Sequence, residues 1–250
     1  MARHSHFANM KRWKAVVDAE RGKIFTVHAR LIAVAAKNGG DPVMNPMLRS
    51  AIDHAKAANV PNANIERAIK KGTGEDKDGS VFVEVTYEAI GPSGSAFLID
   101  VITDNTNRAL LNIRTILSKT DGNLGSSGSV MWKFAKKAYF LVDVGTTAAD
   151  EAELMLIDAG ADDLGQDEEG HFEVYAAADQ LGEVRKKIEG AGLKLLKDEL
   201  IWEPKDTVMV TDLEAAQKII KLNDALEADD DVVRVTNNVD FSEELLPHLG

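Results

Sequence analysis

The chain has 250 residues, 44% hydrophobic and 28% charged, a balance that supports two or three compact units with cores of their own. It has no cysteine, which excludes disulfides, thiolate catalysis and cysteine-ligated zinc, and no apolar run approaches the ~20 residues of a membrane span. The net charge of −12 is unevenly spread: residues 1–72 hold 13 Lys and Arg against 5 Asp and Glu, a net of +8, and the other 178 hold 16 against 36, a net of −20. A basic contact surface on an acidic, solubilising body is the expectation, with pairing between the two parts as the competing one.

The opening MARHSHFANMKRWK is basic but carries no following apolar core or cleavage site, so it does not read as a signal peptide and a cytoplasmic residence is expected. Met10, Trp13 and Val17 recur at helical spacing, with Gly22 as a stop. Ile24, His28, Leu31, Ile32 and Ala35 form a second stripe closed by Gly39–Gly40. Asn45–Pro46 supplies a cap and a first-turn proline for a third helix running to about Asn59. Pro61 opens a fourth, which Gly72 ends in the left-handed conformation. The segment 1–78 is thus a small helical bundle.

After the polar linker KGTGEDKDGS the pattern alternates, and 81–103 reads as a hairpin turning at GPSG. A helix follows with Leu110, Ile113 and Leu117 inward, then the loop GNLGSSGS and a strand VMWKF. From about 137 a complete β-α-β-β-α-β unit can be read, ending at Pro204. The tail adds a strand TVMVT, a helix over 212–227 and a strand DVVRVTN, which would complete the half-built sheet of 81–134. The expected architecture is α+β and multidomain: a helical domain 1–78, a discontinuous α+β domain of 79–135 plus 205–240, and an inserted ferredoxin-like domain 136–204.

Few residues carry a chemistry. GNLGSSG lacks the Lys-Ser/Thr of a phosphate loop and precedes a strand instead of a helix, so it reads as a structural connection. His4 and His6 have no adjacent carboxylate, and His28 falls on an apolar stripe. The runs Asp162–Asp163, Asp167–Glu168–Glu169 and Asp229–Asp230–Asp231 lack calcium-loop spacing and read as solvated turns. No nucleophile with a base can be assembled, and no metal or cofactor is expected. What remains is a cationic set, Arg3, Lys11, Arg12, Lys14, Arg21, Lys23, Arg30, Arg67, Lys70 and Lys71, suited to phosphate contacts, with Phe7 and Trp13 available for stacking. Arg67, Lys70 and Lys71 are expected on one helical face, opposite Ile65, Ala68 and Ile69.

The blocks HSHFANMKRWK, RGKIF, NGGDPVMNPMLRSAIDHAKAANVP, NIERAIKKGTGE, YEAIGPSG, TDNTNR and GNLGSSGSV together resemble the YebC/PmpR family, which includes the mitochondrial translational activator of cytochrome c oxidase. The resemblance implies three domains and a probable DNA-binding transcriptional regulator. Ribosome association with translation regulation through ribosomal or transfer RNA is the alternative it implies. A second alternative, from the charge distribution, is a protein-interaction adaptor whose acidic domains dock a partner. The chain departs from the family pattern at Arg3, His6, Phe7, Val27–His28, Met47 and Thr106, several of which remove positive charge. The expected partners are nucleic acid, DNA or ribosomal RNA, through the N-terminal domain, and ribosomal proteins. The protein is expected to be a non-enzymatic monomer that does not engage membranes.

Overall fold

A computed structural model describes residues 21–75, 81–167 and 169–249, with the backbone alone at Arg21 and Gly22. Two units divide the described chain. Phe134–Lys205 is one, and the chain up to Lys133 and again from Asp206 is the other.

The described part of the larger unit opens with helices α1 (Arg21–Ala36), α2 (Pro46–Ala57) and α3 (Asn62–Thr73). Gly22 lies inside α1, so it does not stop a helix there. The cost of glycine in a helix, about 1 kcal/mol, is small beside the burial of one side chain. Ile32, Ala35 and Ala36 of α1 meet Leu48, Ile52 and Ala55 of α2 and Ile65 and Ala68 of α3. Leu31, expected on the inner stripe, is 40% exposed. Asn45 caps α2 as its type requires, accepting from the Leu48 amide at 3.1 Å, with Pro46 in the first turn. Gly72 does not end α3. Gly74 does, at φ 78°, while Gly72 lies against α1 so closely that a Cβ would stand 2.1 Å from the Ala33 carbonyl oxygen. Both glycines are needed, one for backbone handedness and one for helix contact.

Strands β1 (Val83–Ile90) and β2 (Ala96–Thr103) pair as the expected hairpin, with Val83 opposite Thr103 and Ile90 opposite Ala96. Helix α4 (Thr106–Lys119) buries Ala109, Ile113 and Leu117, not Leu110. The third strand of this sheet is β3 (Asn123–Leu124), which pairs with Ile90 and Ala89 from within the glycine loop. The expected strand VMWKF is instead a 3-10 turn over Met131–Lys133, because its leading amides are directed to a side chain described below.

The chain returns with β8 (Val208–Val210), α7 (Leu213–Ala228), β9 (Val232–Asn237) and β10 (Val239–Phe241). β9 pairs antiparallel with β2, giving the order β3-β1-β2-β9. Phe97, Ile99 and Val101 of β2 then share a core with Ile113, Leu117, Ile219, Leu222, Val232 and Val235. TVMVT does not join that sheet. β8 pairs in parallel with β10, a strand too short to be read from sequence.

In the smaller unit, β4 (Phe134–Asp143), α5 (Ala149–Ala159), β5 (Asp163–Gln166), β6 (Phe172–Ala177), α6 (Leu181–Gly190) and β7 (Lys194–Pro204) form an antiparallel sheet of order β5-β6-β4-β7. Phe140, Val142 and Val174 pack under Leu156 of α5 and Val184 and Ile188 of α6. On the other face Tyr139 and Tyr175 meet edge to face at 5.5 Å, and the Tyr139 hydroxyl donates to buried Glu173 at 3.0 Å.

Gly72→Ala should destabilise the protein by about 3 kcal/mol in chemical denaturation, because its methyl meets main chain that cannot yield. Gly74→Ala, which meets no atom within 4 Å, should cost only the ~1–2 kcal/mol of a left-handed alanine. Equal costs would show that α1 and α3 are free to separate.

Candidate nucleic-acid interface

Four of the cations expected to bind nucleic acid, Arg3, Lys11, Arg12 and Lys14, lie outside the described residues, as do His4, His6, Phe7 and Trp13, and of Arg21 only its backbone, in α1, is described. Two others face inward. Lys23 donates to the Asp229 carbonyl at 3.0 Å, and burial lowers its pKa despite the opposing pull of Glu227, Asp229 and Asp230. Arg30, 12% exposed in its side chain, meets the Asp231 carboxylate at 2.9 Å and the Ile102 carbonyl at 3.0 Å, and also donates to the Asp230 carbonyl.

Helix α3 splits its cations. Arg67 and Lys70 are exposed, with no hydrogen bond or ion pair to their side chains among the described residues. Lys71 is half-buried, its ammonium 4.4 Å from the Phe82 ring centroid, with Arg30 at 5.8 Å from the same ring. The expected three-cation outer face is therefore a pair. An ammonium over an aromatic face is attracted by the ring quadrupole, and the flexible lysine stem lets it reach there.

The Asp229–Asp230–Asp231 run is not a solvated turn. Asp231 is 2% exposed and takes Arg30 from one side and Arg108 from the other, with Arg108 Nε at 3.1 Å and Nη2 at 2.9 Å. The Asp229 carboxylate accepts from the Asn112 side chain at 3.0 Å and from the Asp231 amide at 2.9 Å. This loop fastens α1 to the β2–β9 sheet and to α4. In sequence a buried aspartate that meets two arginines cannot be told from an exposed one.

The glycine loop is held by one carboxylate. Buried Glu88 accepts from the amides of Gly128 (2.5 Å), Val130 (2.7 Å) and Met131 (2.8 Å). Amides that could cradle a phosphate are thus already occupied. Burial would raise the Glu88 pKa, but the three amides outweigh it and hold the group below its ordinary 4.5.

Asp167, Glu169 and His171 bring ligand-type atoms within 4.8 Å of one another. The Asp167 carboxylate accepts from the amides of Glu169 and His171, both at 2.9 Å, which closes the turn before β6. Among the described residues no helix is long and apolar enough to cross a membrane.

Comparison with known proteins places this geometry in a family. The profile described as the TACO1/YebC protein N-terminal domain matches residues 5–75, and that of the TACO1/YebC second and third domain matches 82–239. Similar chains include proteins of Halothermothrix orenii (44% identical over 252 residues, 100% of this chain and 99% of the relative) and Aquifex aeolicus (44% over 251 residues, 100% of both). Both are named probable transcriptional regulatory protein. A crystal structure of a conserved hypothetical protein from Aquifex aeolicus has a TM-score of 0.85 at 42% identity, over 97% of this chain and 99% of that one.

Asp231→Asn should destabilise the protein by about 3 kcal/mol, since it leaves Arg30 buried without its counter-charge. Hydrogen exchange should then rise across α1 to α3. A variant with unchanged exchange there would show that the carboxylate does not hold the helices. Because the Glu88 pKa is depressed, its stabilisation is complete above 4.5 and is lost as pH falls through the lowered folded value. Glu88→Gln should cost about 1–3 kcal/mol at neutral pH, and denaturation midpoints should show a shallower acid limb than the parent's.

Proposed function

The chain belongs to the TACO1/YebC family, and from that membership we propose that it is a non-catalytic, DNA-binding regulator of transcription whose helical domain makes the nucleic-acid contact. The observation that carries this reading is the pair Arg67 and Lys70, exposed on α3 in the part of the chain with an excess of eight positive charges. Lys23, Arg30 and Lys71 are engaged within the protein, so the outward affinity falls to Arg67 and Lys70 with Arg3, Lys11, Arg12, Lys14 and Arg21. The relatives' names support a regulatory role.

The architecture proposed for this function has three parts: a helical reader 1–78, a split α+β domain of 79–135 with 205–240, and an inserted ferredoxin-like domain 136–204. The sheet orders β3-β1-β2-β9 and β5-β6-β4-β7 support that division. So does the family's own separation of an N-terminal domain from a second and third. A monomer in the cytoplasm, needing no cofactor or metal, fits this role.

A second reading, a ribosome-associated translation factor, is favoured by one feature: an Arg–Lys pair on an outer helix face contacts the phosphates of RNA as well as those of DNA. Sedimentation of lysate through a sucrose gradient separates the two readings by whether the protein travels with ribosomes or with nucleoid DNA.

Arg67→Ala with Lys70→Ala should leave the fold intact and weaken binding to all duplex sequences alike. The slope of log K against log salt should flatten by up to about two units, near one for each phosphate no longer neutralised. An unchanged slope, with circular dichroism confirming folded protein, would remove α3 from the interface.

A further inference from the structure

The register of the smaller unit's sheet assigns its side chains to two faces, because cross-strand partners point the same way and successive residues point oppositely. Phe140, Val142 and Val174 lie under α5 and α6. Tyr139 stands opposite Tyr175 and Glu199, Leu141 opposite Glu173, and Lys137 opposite Ile201, so these side chains share the other face. In an antiparallel sheet with helices on one side, the second face is ordinarily wet. Here it is dry: Tyr139, Tyr175, Ile201 and Glu173 are 3%, 4%, 3% and 1% exposed.

Among the described residues, the hydrophobic cluster of Tyr139, Tyr175 and Ile201 is joined only by Leu141, from the same sheet. A single layer of side chains cannot keep water from itself, so a second layer has to lie on it. Burial, and after it the Glu173 carboxylate, raises the Tyr139 pKa, as a hydroxyl shut away from solvent requires. The stretches of chain outside the described residues are 1–20, 76–80, 168 and 250, and only the first is long enough to form a covering layer.

That segment matches the face in apolar and in charged character. Phe7, Met10, Trp13 and Val17 recur three or four apart, and residues 1–14 hold Arg3, Lys11, Arg12 and Lys14 with no carboxylate. The face carries Glu173, Glu199, Glu203 and, on β5, Asp163 against Lys137 and Lys197. Both lysines are already engaged, Lys137 with Asp162 at 3.0 Å and Lys197 with Glu199 at 2.6 Å. We propose that residues 1–14 dock in cis on this face, with Phe7, Met10 and Trp13 over Tyr139, Tyr175 and Ile201 and the cations toward Glu199, Glu203 and Asp163. Aromatic rings suit such a floor, since each buries a large area and prefers the edge-to-face contact that Tyr139 and Tyr175 already make. The docked form is that of the protein without nucleic acid, and it stands or falls apart from the DNA-binding reading.

The test uses the full chain, whose three tyrosines are Tyr87, Tyr139 and Tyr175 and which has no cysteine. Hydroxyl-radical labelling, read residue by residue by mass spectrometry, should leave Tyr139 and Tyr175 protected relative to half-buried Tyr87. The variants F7S/M10S/W13S and K11E/R12E/K14E should each raise labelling at Tyr139 and Tyr175 several-fold, while Tyr87 and circular dichroism stay as in the parent. If neither variant uncovers the two tyrosines, the docking is overturned. A cysteine pair tests it with the apolar contacts kept. N9C/K197C should be joined within one chain by a short bismaleimide, and N9C/E153C, whose second site is exposed on α5 across the sheet, should not. Equal yields from the two pairs overturn the docking, since an undocked segment would reach both. A link between chains that is lost on dilution assigns the face to a second copy and overturns docking in cis. Both measurements are made without DNA, so their failure leaves the DNA-binding reading untouched, and failure of the protein to bind duplex DNA leaves the docking untouched.

Discussion

The Asp231 carboxylate sits almost wholly out of water between the guanidinium of Arg30, from α1, and that of Arg108, from α4. Removing a carboxylate from water is unfavourable unless charge and hydrogen bonds replace the missing hydration, and here two arginines do so. The cluster is directional as well as strong. Arg108 presents two nitrogens to the carboxylate, Arg30 adds the Ile102 and Asp230 carbonyls, and Lys23 reaches the Asp229 carbonyl from nearer the start of α1. Strand, loop and helix are therefore fixed at one point, and the three N-terminal helices are held against the β2–β9 sheet by few but well-defined interactions.

That anchor decides how the positive charge of the chain is distributed. Lys23, Arg30 and Lys71 serve the internal joint, with Phe82 receiving two cations on its ring. Arg67 and Lys70 face water from α3, and Arg49 closes the turn before α2. Of the two uses foreseen for the basic segment, pairing with the acidic body takes Lys23 and Arg30, and Arg67 and Lys70 are left facing solvent. Total charge is a sum over surfaces that face different ways.

Much of the layout was legible in the sequence where local chemistry and burial agree. Asn45–Pro46 announced α2, the alternating run around GPSG indicated the hairpin, and DVVRVTN fell in the sheet of β1 and β2. The misreadings have a common cause in long-range packing. Gly72 looked like a helix end because its packing against Ala33, some forty residues back, leaves no local trace. VMWKF had the composition of a strand, but Glu88 drew off the amides a ladder would need. TVMVT paired with β10, whose three residues are below the length at which alternation can be seen. In the helical domain, sequence identified the cationic residue types but not their directions. Lys70 and Lys71 are neighbours in the chain, and only the position of Phe82 separates an outward lysine from an inward one.

The register of β4 with β7 places Phe134 opposite Pro204, so the excursion through the smaller unit leaves and returns at adjacent points. This bears on the order of events during synthesis. The smaller unit holds every strand of its own sheet and can close as soon as β7 has emerged. Once closed it shortens the effective chain between β2 and β9, which lessens the entropy cost of bringing those strands together. Until residue 228 has been made, however, Phe97, Ile99 and Val101 lack the cover of α7, and until residue 237 one edge of β2 has no partner. The nascent protein thus passes through an interval with an open apolar strand edge, the form in which β proteins are most prone to pair with the wrong chain.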